Sequence, residues 1–125
     1  MSTTDIGSPR WSCIPIPILY GIVGLYLLGQ SLASIEGLGM IIVSITSVLH
    51  HYYADNETLK EIDTLSNYIL FTFFCFCQPR WFYLLGAPVT ILGYILSCKT
   101  GSDLYHVSLV HLPTLLMFMM IADSA

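Results

Sequence analysis

Six side chains in this sequence have the types and spacing for hydrolytic metal chemistry. "SVLHH" carries Ser47, His50 and His51, Asp63 follows a short polar stretch, and "HVSLVH" carries His106 and His111 near the end of the chain. Neutral imidazoles are favoured zinc ligands, and a catalytic zinc site uses three protein ligands and keeps one position open. Zinc lowers the pKa of a water it holds to about 7. A nearby carboxylate then orients that water or takes its proton, and a hydroxyl donates to a developing oxyanion. His51, His106 and His111 are therefore the expected ligands, Asp63 the base or orienting carboxylate, and Ser47 the oxyanion donor. His50 stays open as the alternative to His51. Both lie on one helical turn, but the four-residue step from Ser47 favours His51.

The elements that must position these groups are membrane helices. The chain has 125 residues, 55% hydrophobic and 10% charged, with a mean hydropathy of +0.74. Soluble domains carry about 25% charged residues. Residues 1–125 read as one domain, an all-α, multi-pass transmembrane bundle of about five helices. The expected spans are 14–34, 37–53, 63–78, 81–98 and 103–122. Pro88 and Pro113 fall inside two of them, where membrane helices tolerate kinks. Thr58 with Glu61 reads as a capping box for the third helix, and "KTGSD" as a glycine stop followed by a serine or aspartate cap. Gly21, Gly24 and Gly29 read as close-contact positions. Cys75 and Cys77 read as small apolar side chains, since no CxxC pair supports a cysteine metal site. A net charge of −4 without a basic stretch argues against nucleic acid. The short polar N-terminus does not read as a cleaved signal peptide.

Counting spans places the chemistry. The N-terminus and the second and fourth links share one side of the membrane, so all four histidines and Asp63 belong to one leaflet. That side holds Arg10, Lys60 and Lys99 against Arg80 on the other, which favours a cytoplasmic N-terminus. Use of the sequon "NET", 56–58, would reverse this orientation. His111 lies about 7–8 Å deeper along its helix than His106. Polar groups at that depth face a bundle interior or a wet cavity. Ser44, Ser47 and His51 form one stripe, and Asp63 with Asn67 another. One obstacle stands out. His106 and His111 are five residues apart, roughly 140° around a regular helix, and would not share a face. Pro113 removes the backbone bond to Leu109, and a π-bulge would realign the pair.

The order of these motifs resembles the CREST superfamily, which groups alkaline ceramidases, progestin/adipoQ receptors and GPI-remodelling lipid hydrolases. The matching residues are S-x-x-x-H from Ser47 to His51, Asp63 opening the next helix, and a histidine pair on the last helix. The resemblance implies a three-histidine zinc site assisted by serine and aspartate, and hydrolysis of a membrane-lipid amide or ester. The chain departs from that family in two ways. It has about five helices instead of seven, and its last pair is H-x-x-x-x-H instead of H-x-x-x-H. Loss of one hairpin would keep all motifs at one end.

The same residues have plainer readings. Histidine and tyrosine suit the headgroup layer, so "LHHYY" also reads as an interfacial belt. Ser44 and Ser47 also read as helix-packing residues, and Asp63 as a charge favoured by its helix dipole. The alternative function is a non-enzymatic membrane structural, assembly or interaction protein, including a small oligomeric channel. Homo-oligomerisation is also one way for short helices to enclose a cavity.

Overall fold

The computed structural model describes residues 9–31, 34–77 and 79–123, the Cys77 side chain excepted. Five helices form an all-α bundle: α1 Pro15–Gln30, α2 Ile35–Tyr52, α3 Glu57–Cys77, α4 Tyr83–Thr100 and α5 Asp103–Asp123. A 3-10 turn, Trp11–Cys13, precedes α1. All except α3 belong to stretches long and apolar enough to cross a membrane. The first turns of α3 carry Glu57, Lys60, Glu61 and Asp63, and this charge sets it apart. Its start lies earlier than the expected 63.

Local chemistry explains the boundaries. Pro15 and Pro17 occupy the first turn of α1, where a missing N–H costs nothing. That helix stops at Gln30, short of the expected 34, because Ser31 is extended; part of the expected tail lies outside the described residues, as does Gln78 at the end of the third span. Ser34 caps α2 by accepting from the Gly37 N–H. Asn56, rather than the expected Thr58, caps α3: its Oδ1 accepts from the Leu59 N–H at 3.0 Å. Between α4 and α5 the expected stop and cap are present. Gly101 takes φ +66°, a region open to glycine without strain, and Ser102 accepts from the Tyr105 N–H.

Packing follows the small residues. A Cβ on Gly24 would lie 2.6 Å from the Gly37 carbonyl, so α1 and α2 touch backbone to backbone there. Gly21 faces Ser44 across the same contact, while Gly29 meets nothing within 4 Å among the described residues. Ser44 is thus a packing side chain. Tyr20, Leu27, Met40, Val43, Phe74 and Phe118 anchor the core, and Cys75 packs half-buried against it. Ile22, Leu25, Leu84 and Leu92 are exposed on the outer faces, where a bilayer rather than water suits them. At the end away from the histidines, Glu36 accepts from Arg80 and from the Tyr83 hydroxyl, both at 3.0 Å. This ties α2 to the α3–α4 link.

The histidine end is closed by the N-terminal segment. The Arg10 N–H donates to the His51 carbonyl at 2.9 Å, one of the carbonyls the end of α2 leaves unpaired. Its guanidinium pairs with Asp103 at 2.7 Å. The N-terminal segment, the α2–α3 link and the α4–α5 link therefore meet at one end, as span counting expects.

Candidate metal centre

His51 lies on the last turn of α2 and is fully buried. His106 and His111 project from α5, also buried. The five-residue obstacle is removed by the backbone: Val107–His111 is a π turn. Its i→i+5 hydrogen bonds stack residues five apart, as i→i+4 bonds stack residues four apart. The Leu112 N–H donates to the Val107 carbonyl, and Pro113 supplies no N–H to restore the regular pattern. The bulged turn needs room, and α4 provides it. A Cβ on Gly93 would lie 2.8 Å from both the carbonyl carbon and oxygen of Leu109. On the opposite side, the Tyr20 hydroxyl of α1 donates to the His111 carbonyl at 2.9 Å.

The result is a convergence of three ring nitrogens. His51 Nε2 lies 3.1 Å from His111 Nε2 and 3.3 Å from His106 Nε2. The three residues could hold a metal ion. One tautomer is set by a neighbour. The Ser97 hydroxyl donates to the Tyr94 carbonyl at 2.8 Å, so toward His106 Nδ1, 3.3 Å away, it offers a lone pair. In the tautomer this arrangement favours, His106 Nδ1 carries the proton and its Nε2 lone pair turns to the other two rings. The Nδ1 atoms of His51 and His111 are buried without a hydrogen-bond partner among the described residues.

Asp63 and Ser47 come to the same place. Both line a cavity of about 100 Å³ whose wall includes His106 and His111. The Asp63 carboxyl is oriented by its own helix and by α2. Asn67 Nδ2 donates to Oδ1 at 3.1 Å and to the Asp63 carbonyl at 2.7 Å. The Thr46 hydroxyl lies 3.0 Å from the same Oδ1. No described hydrogen bond falls on Oδ2. His50, the alternative ligand, is not part of the three-nitrogen set. It forms a second possible ligand group with His51 and Asp63, their atoms lying within 4.8 Å of one another.

Ser47, Asp63, His106 and His111 therefore line one cavity, and His51 meets the two α5 histidines at their Nε2 atoms. Sequence reasoning missed the supporting residues: Ser97, Thr46, Tyr20, Gly93 and Arg10. Ser97 lies nine residues before His106 across a helix turn-around, and no local pattern marks it as a partner. Gly93 and Pro113 together are the legible trace of the bulge, a missing donor on one helix facing a missing side chain on the next.

Compared with known proteins, the chain matches no family model, no curated protein and no solved structure.

Proposed function

We propose that this protein is a zinc-dependent hydrolase of a membrane-lipid amide or ester, a reduced counterpart of the CREST-type enzymes. The observation that carries the reading is the spacing of the three Nε2 atoms. Two ligands at 2.0–2.1 Å from a tetrahedral zinc lie about 3.3–3.4 Å apart. The 3.3 Å between His51 and His106 matches that edge, and the 3.1 Å between His51 and His111 is slightly shorter. An all-nitrogen donor set suits zinc better than the oxygen-seeking calcium or magnesium.

Bound zinc would polarise the scissile carbonyl and make water nucleophilic near neutral pH. The remaining work falls to the chain. His51, His106 and His111 would hold the metal beside the cavity that Asp63 and Ser47 line. The Asp63 carboxylate, held by Asn67 and Thr46, takes the attacking water's proton and returns it to the leaving amine or alkoxide. The Ser47 hydroxyl lines the same wall and donates to the oxygen that gains charge. The buried setting strengthens both contacts, because water competes little there.

The test is metal content followed by turnover. Detergent-purified protein is expected to hold about one zinc per chain by elemental mass spectrometry, and His51→Ala to lose it. The loaded protein is then expected to cleave ceramide-like amides or glycerolipid esters, and Asp63→Asn to keep zinc without cleaving them. A well-folded sample without zinc overturns the metal reading. Zinc at full occupancy with no cleavage across both lipid classes overturns the enzymatic one.

A further inference from the structure

The chamber beside the histidines is too small for a lipid, but it does not stand alone. A second cavity of about 320 Å³ adjoins it, sharing Asn67, Thr90 and Thr114 as common wall. Beyond that shared wall the lining turns apolar and aromatic, with Phe71, Phe74, Met117 and Phe118. The cause is the placement of α3. It packs along α2 but makes almost no backbone-level contact with α4 or α5. Toward the end away from the metal centre, Phe71 meets Tyr83 at 5.2 Å and Phe74 meets Phe118 at 6.5 Å. Phe74 reaches its place because Gly39 has no side chain to block its ring.

We infer that this second cavity is the berth of a single alkyl chain, entered sideways from the bilayer between α3 and α4, with Phe74 and Phe118 as the floor that limits chain length. This deepens the hydrolase reading and rests on it for the position of the reacting bond. Three observations carry it. The berth shares Asn67, Tyr68, Thr90, Ile91 and Thr114 with the chamber that Asp63 and Ser47 line. Its lining offers no charge to a headgroup. A separate groove at the chamber's outer side is lined by Glu57, Lys60 and Glu61, which suits the polar part of a lipid and not a second chain. The length follows from the helix. From Asp63 to Phe74 the axis advances about 16 Å at about 1.5 Å per residue. A saturated chain advances roughly 1.3 Å per carbon, given a C–C bond of about 1.5 Å at a tetrahedral angle. About twelve carbons fit between the reacting carbonyl and the floor.

The experiment reads the berth without requiring turnover. Protein in lipid nanodiscs is irradiated with terminally diazirine-labelled n-alkanols of about 6 to 18 carbons, and the adducts are mapped by mass spectrometry. The expected result is labelling of the segments around Phe74 and Phe118, strongest near twelve carbons. Ala87 lines the second cavity but not the first, so Ala87→Phe should cut that labelling at least fivefold and leave zinc content unchanged. Phe74→Leu, a milder change at the floor, should move the maximum to longer chains by about two carbons. His51→Ala should keep the labelling, which separates failure of the berth from failure of the hydrolase. Adducts confined to outer faces, or an inner pattern unchanged by both Ala87→Phe and Phe74→Leu, would overturn the inference even if the protein cleaves lipids.

Discussion

Ser97→Ala should weaken zinc binding without removing a ligand. With the wild-type hydroxyl's proton on the Tyr94 carbonyl, the hydroxyl oxygen accepts from His106 Nδ1–H. That arrangement keeps the His106 Nε2 free for a metal in the unloaded protein. With alanine at 97, the Nδ1–H is buried and unpaired, a cost of about 1–3 kcal/mol. The unloaded variant avoids this by moving the proton to Nε2, where His51 Nε2 at 3.3 Å accepts it. Metal binding must reverse that transfer, so the cost appears in affinity. The expected loss is about 10–100-fold, the usual effect of removing a partner behind a metal ligand, or about 1.4–2.7 kcal/mol. Competition titration against a fluorescent zinc chelator, on detergent-purified protein, measures it directly. Ser97→Thr keeps the hydroxyl and should stay within about threefold of wild type. An unchanged affinity in a folded Ser97→Ala protein would refute the tautomer argument, and with it the claim that α4 prepares the site.

Other outcomes follow from the same geometry. Gly93→Ala places a methyl against the Leu109 backbone and should destabilise the protein by about 1–3 kcal/mol, lowering both its thermal midpoint and its zinc occupancy; a neutral result would mean the π turn does not need α4. Asp63→Asn should retain zinc while hydrolysis falls by about 10²–10⁴-fold, the usual range for a general base, and equal rates would remove Asp63 from the chemistry. Glu36→Ala removes the acceptor shared by Arg80 and Tyr83 and should cost about 3 kcal/mol, read as lost thermal stability with zinc affinity unchanged in the folded fraction. Zinc affinity should fall as the pH is lowered, because proton and metal compete for the same imidazole lone pairs; a flat profile into mild acid would argue against histidine ligation.

The sequence alone determined the fold class, because composition leaves so apolar a chain few choices. Backbone groups in hydrocarbon must be paired within the helix, so long apolar runs become helices, and their number decides which links share an end. That parity brought Arg10, His51, Asp63 and His106 to one end before any packing was known. Capping was legible where one residue decides it, at Gly101 and Ser102. It was misread at α3, where Asn56 and Thr58 both fit the local pattern and only the hydrogen bond to Leu59 separates them.

Tertiary structure decided what spacing could not. Regular geometry turns His106 and His111 apart, and a π turn brings them together because Pro113 offers no N–H, Gly93 leaves room, and Tyr20 holds the His111 carbonyl. Which of two adjacent histidines meets the α5 pair is a matter of how α2 is rotated against its neighbours, and spacing along the chain does not give that. Ser97, distant in local pattern, became a partner of His106 only through the turn-around at Gly101. The cavity behind the site has no sequence signature, since it arises from the distance α3 keeps from α4 and α5. A sequence records which groups are present and how the chain is paired along itself. Rotation, bulging and separation of helices are set by contacts between them, and those contacts turned a list of histidines into a site.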